Sequence, residues 1–200
     1  MAFLRSSTPE PSRLLYGRGL YLRAPRPGDY AAWADLRERS RAHLTPWEPS
    51  WARDELSRTA FRRRLRLYER DTLEDLGYAF FIFQDSNDGL LGGLTLSNVR
   101  RGVTQAGTLG YWVGAPFAGK GCMTEAVRVV VPFVFDELRL HRLEAACLPN
   151  NMASTRVLER NGFQREGFAR RYLKIDGAWR DHVLYALLEE DVYAREAPHS

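Results

Sequence analysis

Hydrophobic spacing along the chain switches between a period near 3.6 and a period of 2, and the switches mark out the elements. "LYLRAP" (residues 20–25) alternates and reads as a short strand. Pro27, Gly28 and Asp29 open a helix in which Tyr30, Trp33, Ala34, Leu36 and Arg37 recur with near-helical spacing. That helix has to stop before "LTPWEPSW", because Pro46 and Pro49 offer no amide proton to a helix interior. A second, arginine-rich helix is expected over residues 54–73, with Leu56, Phe61, Leu65 and Tyr68 on one face.

From Gly77 the period becomes 2. "GYAFFIFQ", "GLLGGLTLSNV" and "AGTLGYWVG" read as three consecutive antiparallel strands, the first two joined by the hairpin turn Asn87-Asp88-Gly89. A buried helix over residues 124–138 follows, with Pro132 expected to kink or shorten it. "HRLEAACL" is a strand, and residues 151–160 form a helix ended by the C-cap Asn161-Gly162. "FQREGFARRYLKI" and "WRDHVLYALL" close the chain as a hairpin about Asp176-Gly177. The order is β-α-α-β-β-β-α-β-α-β-β, an α/β (α+β) pattern without internal repeats. Residues 1–18 mix Ser, Pro and Arg without periodicity and read as a flexible arm before a single domain over 19–195.

Composition narrows the class. Two hundred residues with 44% hydrophobic suffice for one well-cored domain. The N-terminus lacks a signal-peptide pattern and no apolar run approaches the roughly 20 residues of a membrane span, so the chain reads as cytoplasmic with no membrane partner. Cys122 and Cys147 are too few and too unpatterned for a disulfide framework or a metal site, and no metal is expected. Neither is given a catalytic role. A net charge of +4 comes from scattered arginines and by itself reads as a solvated face.

"GAPFAGKGCMTE" (residues 114–125) carries the chemistry. Gly114, Gly119 and Lys120 spell most of a P-loop, but Gly121 stands where a magnesium-binding hydroxyl is needed. Gly119 and Gly121 open a dinucleotide fingerprint whose third glycine is Thr124. A strand, a glycine loop and a helix start still place free amides at the positive end of a helix dipole, so the loop suits a phosphate held without metal. The alternative is a tight β-to-α turn with no ligand.

This loop, followed about thirty residues later by "PNNMASTRVLERNGF", resembles the GCN5-related N-acetyltransferase (GNAT) family, whose pyrophosphate loop reads Gln/Arg-x-x-Gly-x-Gly/Ala. The central Gly121 matches, while Ala118 and Met123 depart from the usual end positions. Backbone amides do the holding, so the departures touch the motif more than the mechanism. Within the family, "LTPWEP", "LSNVRRG", "LGYWVG", "HRL", "LPNN", "ERNGF" and "YLKIDGAWRDHVL" resemble the RimJ type of ribosomal-protein alanine N-acetyltransferase. The resemblance covers nearly the whole chain. It implies the GNAT acyl-CoA N-acyltransferase fold, a mixed and mostly antiparallel sheet of about six to seven strands flanked by about four helices.

The resemblance also implies roles. Acetyl-CoA would lie between two splayed parallel strands, its pantetheine pairing with the backbone of Tyr111, Trp112 and Val113. The amides of Gly119, Lys120, Gly121, Cys122, Met123 and Thr124 would cradle the pyrophosphate, and Asn151 would hold the pantetheine. Ser154 or a tyrosine, Tyr172 among them, would protonate the departing thiolate. From the residues alone, Asn151 reads equally as an N-cap and Ser154 as a small packed residue. Some relatives carry a basic Glu in the strand that here reads "GFARRYL", with Arg170, Arg171 and Tyr172. The best remaining carboxylate is Glu48, in a proline-fixed loop where Trp47 and Trp51 could wall a desolvating pocket and make it a base or an ammonium ligand. Asn98 is a candidate for the incoming peptide backbone. Asp181 and His182, adjacent on a strand, point to opposite faces and are read as structural.

A protein α-amine of pKa about 7.7–8.0 is roughly 10–20% neutral at pH 7, whereas lysine is neutral to under roughly 0.1%. The expected activity is therefore acetyl transfer to a protein N-terminus, a ribosomal protein among the candidates, by a monomer or homodimer without direct nucleic-acid contact. Acetylation of a small amine such as an antibiotic, polyamine or amino acid is the alternative. A ribosome- or RNA-binding assembly protein retaining the acetyl-CoA site is the alternative of another class, prompted by "FRRRLRLYER".

Overall fold

The computed structural model describes residues 13–196. Its strands are β1 Leu15–Gly17, β2 Leu20–Arg23, β3 Tyr78–Gln84, β4 Leu90–Arg100, β5 Ala106–Val113, β6 Arg142–Cys147, β7 Gln164–Ile175 and β8 Ala178–Leu188. Its helices are α1 Tyr30–Arg39, the short α2 Arg41–Leu44, α3 Arg58–Leu73, α4 Cys122–Pro132, α5 Met152–Arg160 and α6 Glu189–Glu196. One eight-stranded sheet runs β1-β2-β3-β4-β5-β6-β8-β7, and every neighbouring pair is antiparallel except β5 and β6.

The sheet is covered on both faces, which explains why β3 is buried at every position from Tyr78 to Phe83 and reads as an unbroken apolar run. On one face, Val127, Val130, Val134 and Phe135 of α4 and its continuation, with Leu158 of α5, meet the odd-numbered side chains of β5, β6 and β8. On the other, Trp33 and Leu36 of α1 and Phe61 of α3 pack on Phe81 and Phe83. Phe61 packs at a tilt of 37° against Trp33 with ring centroids 4.9 Å apart. Truncating such a side chain costs about 3–5 kcal/mol.

Several elements differ from the sequence reading. The arm expected over 1–18 is not flexible throughout: Leu15–Gly17 pairs with β2, because Gly19, at φ 71, turns the chain back and Leu15 is buried. The rest of the expected arm, residues 1–12, lies outside the described residues. The second helix begins at Arg58 rather than 54, since Ser57 takes the N-cap and accepts from the Ala60 amide at 3.0 Å. Pro132 does end the α-helical part of α4. A π-helical turn, Phe133–Glu137, carries the chain on, with the Leu138 amide reaching the Phe133 carbonyl at 3.0 Å. The short α2 and the acidic α6 raise the helix count among the described residues above the expected four.

Candidate active site

β5 and β6 run together only from Ala106 opposite Arg142 to Leu109 opposite Ala145. Beyond that point β5 stays paired to β4 as far as Val113, and β6 to β8 as far as Cys147. The two parallel strands therefore part, leaving the facing backbone edges of residues 110–113 and 146–147 without a strand partner. A cleft of about 420 Å³ opens there. Strand alternation gives it two sides. Tyr111, Val113 and Cys147 belong to the core under α4 and α5, whereas Trp112 packs with the α1 and α3 cluster.

On the α4 side the cleft reaches the glycine loop. α1 fixes the loop's start: the Ser40 hydroxyl accepts from the Ala115 amide at 2.9 Å, and a Cβ on Gly114 would stand 2.4 Å from Leu36. Gly119 and Gly121 are left-handed, at φ 74 and 82, and a Cβ on either would meet nothing within 4 Å. Both glycines answer a conformational demand, with open space above them. Among the described residues no oxygen accepts from the amides of residues 119–124, which lead into and begin α4. Unpartnered amides at the positive end of a helix fit a pyrophosphate. Gly119, Gly121, Cys122, Met123 and Thr124 line the cleft; Lys120 is exposed and its side chain is outside it. Arg156 and Arg160 of α5 also line it, one helical turn apart, and add positive charge that the sequence reading did not single out.

Asn151 caps α5, its side-chain oxygen accepting from the Ser154 amide at 3.1 Å, and the residue lines the cleft. Ser154 is hydrogen-bonded to Tyr111, Oγ to Oη at 2.8 Å. Burial pushes the Tyr111 hydroxyl well above the ordinary tyrosine range, and the bond to Ser154 offsets only part of this. The pair therefore keeps its protons at neutral pH and presents O–H groups where β5 and α5 meet. Tyr111, rather than Tyr172, is the tyrosine beside Ser154. Burial likewise raises the Cys147 thiol, which lies 3.8 Å from Thr155 Oγ1 and stays a thiol.

The other side is framed by the proline loop and the β7–β8 hairpin. Glu48 lines the cleft, but its carboxylate is engaged: Arg37 meets it with two bonds at 2.8 and 2.7 Å, and Trp51 Nε1 donates at 2.9 Å. With Oε2 accepting twice and Oε1 once, a single strong acceptor position remains on Oε1. The Arg37 guanidinium lies between the rings of Trp51 and Trp112, 4.4 and 5.0 Å from their centroids. Helical spacing had placed Arg37 on the apolar face of α1 without naming its partner. Trp47 lines the cleft; Trp51 does not, and instead donates to Glu48 of the ion pair.

Asn98 and Tyr172 are not brought to the cleft. Asn98 sits at the far end of β4, left-handed at φ 51, where the β4–β5 register shifts between Ser97 and Arg100. It is an exposed bulge residue. Tyr172 is half exposed on a bulge of β7, edge-on to His182 at 5.8 Å. Asp181 holds that bulge by accepting from the Arg171 amide at 2.8 Å. His182 was read as structural, yet it is buried and lines the cleft. A second, open groove of about 580 Å³ adjoins the cleft, sharing Trp47 and Leu148 and running along Arg171, Trp179 and Arg180 of the hairpin.

Known proteins share this architecture. Residues 19–164 match the acetyltransferase (GNAT) domain. The chain is 38% identical over 178 residues to a probable N-acetyltransferase, YjcK, of Bacillus subtilis, covering 89% of this chain and 98% of that protein. It is 36% identical over 165 residues to the [ribosomal protein uS5]-alanine N-acetyltransferase of Escherichia coli, covering 82% and 85%. The solved structure of Mycobacterium smegmatis RimJ in complex with CoA-disulfide superposes with a TM-score of 0.84 at 33% identity, covering 96% of this chain and 91% of that one. The splayed strands, the amide cradle and these likenesses agree: the chain belongs to the GNAT family as an acetyl-CoA-dependent N-acetyltransferase of the RimJ-like type.

Proposed function

We infer that the acceptor is the N-terminal α-amine of a protein, a ribosomal protein being the model set by the E. coli relative. The observation carrying this reading is the open groove that continues from the cleft past Trp47 and Leu148. A small amine needs only a closed pocket, whereas a polypeptide needs a path for the residues behind its terminus. The engagement of Glu48 by Arg37 and Trp51 adds support, because an α-amine demands far less base than a lysine.

Acetyl-CoA supplies an activated thioester. The amides of residues 119–124, with Arg156 and Arg160, hold its phosphates, and the backbone of residues 111–113 and the Asn151 amide hold the arm. The free β5 amides polarise the acyl carbonyl. Ser154, backed by Tyr111, gives its hydroxyl proton to the sulfur as the thiolate leaves. Glu48 accepts one hydrogen bond from the incoming amine through Oε1 and orients it.

Acetyl-CoA and paired peptides, one with a free and one with a blocked N-terminus but each carrying a lysine, test the reading. Mass spectrometry should find acetyl on the free terminus only; equal labelling of both peptides defeats it.

A further inference from the structure

Four polar side chains are buried among the described residues: Asp29, Arg37, Ser40 and His182. Three are consumed by architecture. Asp29 takes two bonds from Arg23, Arg37 is paired to Glu48, and Ser40 accepts from the Ala115 amide. His182 differs. Its Nδ1 lies 3.0 Å from the Arg180 carbonyl oxygen, and a carbonyl only accepts, so Nδ1 carries the proton. In the neutral ring the lone pair is then on Nε2. Among the described residues Nε2 has no partner, and the only sealed polar atom without one is Arg37 Nε. His182 Nε2 is therefore not sealed off, and the residue lines the cleft.

Alternation puts it on the acceptor side. Val183 joins the core under α4 and α5, so His182, one residue earlier on β8, faces the opposite side with the proline loop and the β7 wall of Leu173 and Ile175. We propose that His182 is the catalytic base of acetyl transfer, with Nε2 taking the proton of the acceptor amine. An incoming ammonium loses one proton to Nε2, directly or through one water, and its nitrogen then forms the C–N bond to the acyl carbon. As the C–S bond breaks, Ser154 protonates the sulfur, and the second proton left on nitrogen re-protonates the Ser154–Tyr111 pair through solvent. The imidazolium returns its proton to water, so the sum is amide, thiol and one proton.

The groups facing the ring are known from each side. Tyr172 approaches edge-on from β7, His43 of α2 and the Arg37-paired Glu48 line the same cleft, and Ser154 and Tyr111 lie on its cofactor side. On β8 itself, Arg180 contributes its carbonyl and Asp181 is turned to the β7 bulge. His182 is thus the open imidazole whose tautomer is set by the backbone.

The proposal rests on the acceptor reading above only for the choice of peptide, and it is tested on whichever amine the wild-type chain acetylates fastest. His182→Asn keeps an amide donor for the Arg180 carbonyl but has no base; His182→Ala removes both. For an α-amine, roughly 10–20% neutral at pH 7, each should lower kcat by about 5–10-fold at pH 7, and by about 100-fold or more for an amine of lysine-like pKa, with CoA affinity by calorimetry unchanged within about twofold. The deficit should narrow as the pH approaches the amine's own pKa, and added imidazole should restore part of the rate of His182→Ala. A His182→Asn enzyme within about threefold of wild-type kcat overturns the proposal. So does a deficit that ignores both pH and imidazole, or loss of CoA binding in both variants, each of which marks a packing role. A wild-type enzyme that ignores α-amines but acetylates another amine defeats the acceptor reading alone, and the variants still decide His182.

Discussion

Gly121 stands at φ 82 with open space where a side chain would grow, so two substitutions separate its conformational and electrostatic demands. Gly121→Ala forces a Cβ into the left-handed region at about 1–2 kcal/mol but leaves the amides uncovered. Gly121→Asp also places a carboxylate where those amides await a phosphate. Both should melt a few degrees lower than wild type, while calorimetry should find CoA affinity reduced about 30-fold or more for Asp and only a few-fold for Ala. Equal losses would mean that loop shape alone governs binding. Across the cleft, Ser154→Ala should lower kcat at unchanged CoA affinity if Ser154 is the acid proposed above, because Tyr111 remains in place but its hydroxyl partner is gone. A kcat unaffected by that change would remove Ser154 from the chemistry. Residues set in contiguous motifs were legible in this way: Gly119, Gly121, Asn151 and Ser154 line the cleft as the loop and the "PNNMAS" stretch suggested. Arg37 and His182 were not. Arg37 meets Glu48 across a helix end and a proline loop, and His182 was set aside because its alternation was known but the sheet face it points to was not.

The β7–β8 hairpin shows how an element's irregularity places a site. Ala169 pairs with His182 and Leu173 with Arg180, so β7 spends two more residues than β8 over that interval. The surplus bulges outward at Arg171, at φ 47, and its amide is taken by Asp181. Beyond the bulge, Leu173 and Ile175 line the cleft, and the Asp176 amide at the turn donates to the Glu48 carbonyl at 2.9 Å. Asp181→Ala should therefore cost about 1 kcal/mol by leaving that amide without its acceptor. The functional effect should be selective: KM for the acceptor rises severalfold while CoA affinity holds, read by steady-state kinetics beside calorimetry. Unchanged acceptor KM would show that the bulge does not set the acceptor wall. Alternation located the strands and Asp176-Gly177 the turn, but a bulge adds residues without any compositional mark, so its register was hidden. Helix starts suffered likewise, as Ser57 competed with the apolar spacing that had suggested residue 54.

Over the whole molecule, the sheet's middle was legible because β3, β4 and β5 are sequential neighbours, whereas the parallel pairing of β5 with β6 came only through the family resemblance. Carboxylates paired with arginines, several of them between distant segments, give the fold its acid-side pH dependence. Asp75, after α3, meets Arg101 beyond β4; burial alone would raise its carboxyl, but the bonds from Arg101 and Tyr78 prevail and lower it. Glu125 of α4 is lowered by Arg128 and by the Arg18 amide from the β1–β2 turn. Glu166 of β7 is lowered by Arg142 of β6. A carboxylate whose folded pKa lies below its unfolded value contributes stability that is complete above the unfolded value and is lost as pH falls through the folded one. Glu137, raised by burial despite Arg13, works in the opposite direction and returns some stability on protonation. With these three lowered groups and the exposed Glu38, lowered by Arg41, against one raised group, Tm should be nearly flat between about pH 6 and 8 and fall below about pH 4.5. The fall should be shallower in Arg101→Gln, since Asp75 then keeps its burial penalty with only the bond from Tyr78 to offset it and gains less from ionising. A Tm unchanged to about pH 3.5, or an Arg101→Gln profile parallel to wild type, would show that these pairs do not couple proton binding to the fold.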